Sequence, residues 1–244
     1  MPAEGRMGAS AAVVVGGGPV QGPTETYDLV ITADSGLDVA LAAGFVPTHL
    51  VGDLDSISPA ARAWAAAHDV VVERHPTDKD ATDTELALAA AVRLGATRLR
   101  LHGNTGVARL DHLLGTLAAL GNPSLWTLES VTAQLDGSLL HVLHPGRTVT
   151  MQLEPGALFS LLALHGPCEE IDVSGARWPL RNARLHGSST IGISNEALDR
   201  EVEVSVGRGV LTVVIPPAST SPASTSPAST SPDPTSPDTN QEHP

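Results

Sequence analysis

Four groups of acidic residues punctuate the first half of the chain. Asp34 stands in Ala33-Asp34-Ser35-Gly36. Asp53 and Asp55 stand in Gly52-Asp53-Leu54-Asp55-Ser56. Asp78, Asp80 and Asp83 fall in Asp78-Lys79-Asp80-Ala81-Thr82-Asp83, and Asp111 follows Arg109. Asp53 and Asp55 are two apart, so in an extended chain both carboxylates face one side and can share a cation. Asp80 and Asp83, three apart at a helix start, can also converge. Magnesium takes one or two carboxylates, keeps some of its waters and accepts substrate phosphate oxygens. With Lys79 and Arg109 alongside, these groups describe a metal-and-phosphate site. The acids would hold Mg²⁺ and the cations would neutralise charge developing on a transferred phosphoryl group. Singly, each group has a plainer reading as a turn, a cap or an acid in a first helical turn. Their recurrence at successive stations carries the chemical reading. Lys79 is the only lysine among 14 cationic side chains, so the one compact ammonium lies inside the acidic group.

Other chemistries find little support. One cysteine, Cys168, excludes an internal disulfide framework and any CxxC motif, and it reads as a small buried hydrophobe. The ten histidines show no zinc spacing. His112 adjoins Asp111 with no serine or cysteine nucleophile in a matching motif. The run Gly16-Gly17-Gly18 matches neither the P-loop nor G-x-G-x-x-G, and reads equally as a turn or as a backbone approach to a nucleotide. A formal charge of −13 and only three Trp, one Tyr and two Phe argue against nucleic-acid binding. No apolar run approaches the ~18 residues of a membrane helix, and Ala9–Val15 does not read as a signal peptide. The expectation is a soluble, reduced, cytoplasmic protein.

The elements that must position the acids follow from texture. Over residues 11–131, β-branched runs (12–15, 29–32, 49–51, 70–72 and 99–101) alternate with Ala/Leu-rich helical stretches. Ser58-Pro59 caps one helix and Thr82 with Glu85 forms a capping box ahead of another. Gly44, Gly95 and Gly121 stand where helices should stop. Leu110, Leu113, Leu114, Leu117 and Leu120 recur as one buried helical face. Such alternation predicts a mainly parallel sheet flanked by helices, with ligands outside the carboxyl ends of its strands. Residues 132–216 read as an antiparallel β-sandwich: short runs at 139–143, 148–153, 158–164, 202–206 and 210–215 are broken by Pro145-Gly146, Pro155-Gly156 and Gly207 to Gly209. Residues 217–244, a Pro/Ala/Ser/Thr repeat, are too polar to bury a core and read as a disordered tail.

Taken together, the motifs resemble the thiamin pyrophosphokinase family. The resemblance lies in Ala33-Asp34-Ser35-Gly36, Gly52-Asp53-Leu54-Asp55-Ser56, Asp78-Lys79-Asp80-x-Thr82-Asp83-x-Glu85-Leu86 and Gly106-x-x-Arg109-Leu110-Asp111-His112. It continues in Ser174-Gly175-x-x-Trp178-Pro179-Leu180 and Gly192-Ile193-Ser194-Asn195-Glu196, spanning roughly residues 11–215. It implies Mg²⁺-dependent transfer of a diphosphate group from ATP to the hydroxyethyl group of thiamin, giving thiamin diphosphate and AMP. It also implies a homodimer with sites at the subunit interface. Carried over, Asp53, Asp55 and Asp80 are the metal candidates, with Asp83 and Asp111 as further catalytic acids. Asp34, Lys79, Thr82 and Arg109 make the ATP-binding set, and Ser194 and Asn195 contact thiamin. The chain departs from the family at Ser35, where Asp-Gly-Gly is frequent, at Val107-Ala108, where Gly-Gly-Arg is common, and at Trp178, where tyrosine is common. The alternatives are a diphosphokinase for another alcohol such as a pterin, and a thiamin- or nucleotide-binding sensor without catalysis.

Overall fold

The computed structural model describes residues 8–104 and 109–217. Six strands form a parallel sheet: β1 (Ala9–Val15), β2 (Leu29–Ala33), β3 (His49–Gly52), β4 (Val71–Arg74), β5 (Ala96–Gly103) and β6 (Ser130–Leu135). Their order is β6-β5-β1-β2-β3-β4. The chain therefore steps outward from β1 to β4, then returns to lay β5 and β6 on the other side of β1.

The helices start where their caps dictate. In α2 (Pro59–Ala67), the Ser58 hydroxyl accepts the Ala61 N–H at 3.1 Å and Pro59 occupies the first position. In α3 (Asp83–Arg93), Thr82 and Glu85 exchange both capping-box bonds. Gly44 and Gly95 end α1 (Gly36–Ala42) and α3 at φ +83° and +87°, which costs a glycine little. The sheet's inner residues, Val13, Ile31, Leu99 and Leu101 among them, pack on Ala87, Ala91 and Leu120 of α3 and α4 (Leu110–Leu120). Leu37 and Ala40 of α1 and Ala61 and Ala65 of α2 are buried in smaller clusters with other strand residues.

The sheet does not stop at β6. The hairpin strand β7 (Ser138–Leu143) pairs antiparallel with it, followed by β14 (Leu211–Ile215), β9 (Leu158–Leu162) and the two-residue β12 (Asn195–Glu196). Ten strands thus form one sheet. A separate antiparallel sheet of β11 (Leu180–Leu185), β10 (Cys168–Ser174), β13 (Glu201–Arg208) and β8 (Arg147–Gln152) packs on its far half. Phe159, Leu161, Leu211 and Val213 meet Ile171, Val173, Val202 and Val204 in a single core, which is the expected sandwich. Cys168 is fully buried there; burial pushes its thiol pKa up to about 11, so it stays an unreactive thiol.

The structure differs from the sequence reading in four particulars. A division between residues 131 and 132 falls inside β6, because both halves share that sheet. Strands β6, β10, β11 and β12 were not anticipated. Gly207 does not break β13, which runs on to Arg208; a side chain on Gly207 would collide with Glu170 on β10, which takes φ 57°. In α4 the leucine stripe is buried only at its end. Leu120 is 1% exposed but Leu110 is 67% and Leu114 57% exposed, because the helix's first turns project beyond the sheet. Residues 105–108 and 218–244 lie outside the described residues, so the tail reading is not addressed beyond Pro217.

Two histidines, His102 buried and His141 half-buried, give the fold a pH signature. His102 ends β5 against Phe45, with its Nε2 3.1 Å from the Tyr27 hydroxyl, and His141 lies on β7. Burial holds both pKa values down at about 4, below the ~6.5 of an unfolded chain. Between these values the unfolded chain binds protons that the native chain does not. Stability therefore falls as pH drops from about 6.5 towards 4, by up to ~1.4 kcal/mol per pH unit per histidine. Urea midpoints measured at pH 7, 5.5 and 4.5 should show a shallower decline for His102→Gln than for the unaltered chain; parallel profiles would contradict the assignment.

Candidate active site

The acids gather where β2 and β3 end. Asp34 follows β2 in the left-handed region at φ 46°, which aspartate tolerates better than most residues. Its N–H donates to the Val51 carbonyl at 2.9 Å and its carbonyl accepts the Leu37 N–H at 3.0 Å. Gly52 closes β3 at φ +146°. A side chain there would lie 3.1 Å from Asp83 Oδ1 and 3.2 Å from Asp34 Cβ, so the glycine is what lets the acids approach. Asp83 is the first residue of α3, at the positive end of the helix dipole.

One carboxylate oxygen from each of Asp34, Asp53 and Asp83 lies within 4.8 Å of the others. Lys79 Nζ stands 3.1 Å from Asp83 Oδ1 and 3.8 Å from Asp53 Oδ2. The Ser56 hydroxyl donates to Asp34 Oδ2. Asp34 Oδ1 and Asp83 Oδ1 are buried without a hydrogen-bond partner, the latter with only the Lys79 ammonium beside it. Buried carboxylate oxygens are ordinarily satisfied. Three carboxylates that each bring an oxygen to one point fit a hard, oxygen-seeking divalent cation. The Asp55 N–H, 3.2 Å from Asp53 Oδ1, holds the Asp53 pKa below its usual value, helped by Thr77 and Lys79. The negative charge of Asp53, then those of Asp34 and Asp83, pushes Asp55 the other way. Asp34, Asp53, Ser56, Thr77, Lys79 and Asp83 line a cavity of about 610 Å³, the size of a small-molecule site.

The expected metal trio of Asp53, Asp55 and Asp80 shares one member with the assembled trio. Asp55 is exposed near the cluster, and Asp80 is exposed and does not line the cavity. Thr82 borders the cavity while its hydroxyl serves the α3 cap, accepting the Glu85 N–H at 3.2 Å. Arg109 and Asp111 stand at the mouth, both exposed, joined at 3.0 and 2.8 Å in a two-pronged pair that holds the Asp111 carboxyl far below the usual carboxylate range. Gly106 and the Val107-Ala108 departure lie outside the described residues. Ser56 and Thr77 were not foreseen as members. Ser56 lay within the quoted Gly-Asp-Leu-Asp-Ser run, so its nearness to the acids was the available signal.

Ser194 and Asn195 lie elsewhere, at the edge of the sheet around β12. Ser194 is exposed at φ 60° and donates its N–H to Ser160 Oγ at 3.1 Å. Asn195 is buried. Its Oδ1 accepts the N–H groups of Trp178 (3.2 Å) and Glu196 (2.8 Å), and its Nδ2 donates to the Trp178 carbonyl (2.9 Å). The asparagine thus holds Trp178 in place. The Trp178 indole is 55% exposed with the Arg177 guanidinium 5.2 Å from its ring centre.

Comparison with known proteins fits both halves. The family model "Thiamin pyrophosphokinase, catalytic domain" matches residues 22–144, and "Thiamin pyrophosphokinase, vitamin B1 binding domain" matches residues 147–211. The chain belongs to the thiamin pyrophosphokinase family. It is 27% identical over 209 residues to the thiamine pyrophosphokinase of Bacillus subtilis (strain 168), covering 82% of this chain and 96% of that protein. The crystal structure of a thiamin pyrophosphokinase from Geobacillus thermodenitrificans superposes with a TM-score of 0.66 at 28% identity, covering 86% of this chain and 99% of that one. A family protein from Enterococcus faecalis shares the fold with a TM-score of 0.70 at 24% identity, over 85% and 99% of the two chains.

Within the thiamin pyrophosphokinase frame, the Ser35 departure is accommodated locally. A side chain on Gly16 would come 2.4 Å from Ser35 Oγ, so the serine fills space that Gly16 leaves. The following glycine cannot vary: a Gly36 side chain would lie 2.2 Å from the Val14 carbonyl oxygen. Gly52 is the more revealing position. Gly52→Ala should spread Asp34 and Asp83 and weaken divalent-cation binding by about tenfold or more. Calorimetric titration with Mn²⁺ checks this, and unchanged affinity would show that the close approach is not needed.

Proposed function

We propose that the chain performs its family's reaction, ATP-dependent diphosphate transfer to thiamin, with Asp34, Asp53 and Asp83 holding the divalent cation. The observation that carries this reading is the convergence of carboxylate oxygens from Asp34, Asp53 and Asp83 within 4.8 Å, with Asp34 Oδ1 buried and without a hydrogen-bond partner. A cation bound there would supply the positive charge needed on the triphosphate. The protein's own groups position and neutralise. Lys79 can turn from Asp53 and Asp83 towards phosphate oxygens as they arrive, and Arg109 at the mouth is a second cation for them. Backbone amides of Gly16 and Gly17, which line the cavity, add neutral donors. In the transfer, the thiamin hydroxyl oxygen bonds to the β-phosphorus and loses its proton. The bond from that phosphorus to the α,β-bridging oxygen breaks, and AMP leaves with the bridging oxygen. No covalent enzyme intermediate is required.

The second part of the proposal is a homodimer with shared sites. From β12 to β1 the sheet takes six steps, which at ~4.8 Å each is roughly 30 Å. Ser194 and Trp178 therefore cannot meet the acids of their own chain around one thiamin. Each end also exposes apolar side chains: Leu110 and Leu114 beside the acid cavity, Trp178, Ile191 and Ile193 beside Ser194. A two-fold pairing would cover both patches and bring each acid cavity against the other chain's Trp178. The buried, unreactive thiol and the use of ATP fit a reducing cytoplasm. Among the described residues no helix is long and apolar enough to cross a membrane.

Asp53→Asn and Asp83→Asn should each lower the turnover number by at least ~100-fold, whereas Asp80→Asn should stay within about threefold, because Asp80 lies outside the cavity. Release of AMP together with thiamin diphosphate is the readout, and equal losses at all three positions would sink the metal assignment. A mixing experiment tests the shared site. Combining inactive Asp83→Asn and Trp178→Ala chains should restore up to about a quarter of the activity, since half the dimers would carry one intact site. No recovery after subunit exchange would refute it.

A further inference from the structure

Helix α4 brings Asp111, His112, Gly115 and Thr116 to the wall of the acid cavity, with Arg109 at its N-cap. Its buried residues, Thr116, Ala119 and Leu120, all lie in its second half, while Leu110 and Asp111 are exposed. The helix is therefore anchored at its far end and reaches over the cavity from there. It spans 11 residues, roughly 16 Å at ~1.5 Å each. A tilt of ~5° at the anchored end would move Arg109 by about 1.4 Å. Displacements of ~1 Å are enough to cost a positioned group most of its effect.

What fixes the anchored end is a complete set of hydrogen bonds. A helix leaves its last four carbonyls without intrahelical donors, here those of Leu117, Ala118, Ala119 and Leu120. Gly121 and Asn122 donate their N–H groups to Ala118 and Ala119, each at 3.1 Å. Histidines take the other two. His165 Nε2 lies 2.8 Å from the Leu117 carbonyl oxygen, and His144 Nε2 lies 3.1 Å from that of Leu120. A carbonyl only accepts, so Nε2 carries the hydrogen in both rings. Both donors also meet the negative end of the helix dipole. His144 directly follows β7 and His165 stands in the turn after β9, so both reach α4 from the half of the chain that forms the sandwich. There is little play in the fit. A side chain on Gly121 would collide with the His165 ring, and His144 is fully buried. Neither histidine lines the acid cavity.

We propose that His144 and His165 are positioning residues for phosphate binding, holding α4 at the angle that presents Arg109 to the phosphates. The proposal rests on the reading that the acid cavity takes the triphosphate of ATP. The sandwich half thereby takes part in binding ATP within its own chain, through the end of α4 farthest from the cavity.

Calorimetric titration of the full chain with ATP in Mg²⁺ tests this. His165→Ala removes one donor and should weaken ATP binding by about tenfold or more. His165→Gln keeps an N–H within reach of the Leu117 carbonyl and should stay within about threefold of the unaltered chain. Gly121→Ala leaves both histidines in the sequence, and its backbone at φ −88° accepts alanine. Its methyl group displaces the His165 ring and should reproduce the loss, so the test does not hang on the folding of one variant. The deciding comparison is a double-mutant cycle with Arg109→Gln. In that background His165→Ala should weaken ATP binding by no more than about twofold. Equal losses with and without Arg109 would overturn the proposal, because the histidine would then support the fold at large. Unchanged ATP affinity in both His165→Ala and Gly121→Ala would overturn it too. Arg109→Gln alone separates this proposal from the phosphate reading. Normal ATP binding there removes Arg109 from the phosphate site and the positioning role with it, whereas a loss there beside unaffected His165 and Gly121 variants overturns the histidines alone.

Discussion

Three carboxylates within 4.8 Å of one another repel strongly, and holding them there shapes everything around the cavity. The fold resists that repulsion with rigid attachments rather than neutralising each acid separately. Asp34 is fixed by backbone bonds to Val51 and Leu37, Asp53 by the Asp55 N–H, and Asp83 by the α3 cap. Lys79 adds one positive charge against three negative ones. A deficit of positive charge remains, together with two buried oxygens without hydrogen bonds. Such a cluster carries electrostatic repulsion that added positive charge would relieve.

The second governing feature is the continuity of the ten-stranded sheet. It makes the acid-bearing half and the half that carries Ser194 one rigid plate, with β6 and β7 as the joint. That continuity keeps the strand ends that carry Asp34 and Asp53 side by side. It also fixes the distance between acids and Trp178, so the chain cannot fold over to close its own site. The proposed pairing of copies would supply the proximity that one chain lacks, and the exposed Leu110 and Leu114 at the start of α4 are apolar surface such a pairing could cover.

Much of this was legible in the sequence. The capping box at Thr82, the proline-led α2 and the glycine stops are local signals set by backbone chemistry, and the structure has them. The acid groups pointed to a common cavity because several lay at successive strand ends, and Asp34, Asp53 and Asp83 do meet there. The particular trio was not legible. Spacing of two favoured Asp53 with Asp55, but Leu54 takes φ 68°, so the chain is no longer extended and the alternation argument lapses. Asp80 precedes the cap at Thr82, so it is not on α3 with Asp83. The strand β6 was missed because Ser130, Thr132 and Gln134 dilute its apolar pattern. The part played by Asn195 is likewise a matter of three-dimensional neighbours: nothing in Ser194-Asn195-Glu196 shows that its amide holds Trp178, 17 residues away.

The solitary lysine has a consequence of another kind. Because Lys79 carries the only side-chain amine in the sequence, electrophiles that seek amines have one side-chain target, and it sits beside Asp53 and Asp83 in the acid cavity. Acylation there would cancel the charge that balances Asp53 and Asp83, so surface labelling and inactivation become the same event. With arginine at every other cationic position, no second lysine competes for such reagents, so acylation of a lysine side chain in this chain is acylation inside the acid cavity.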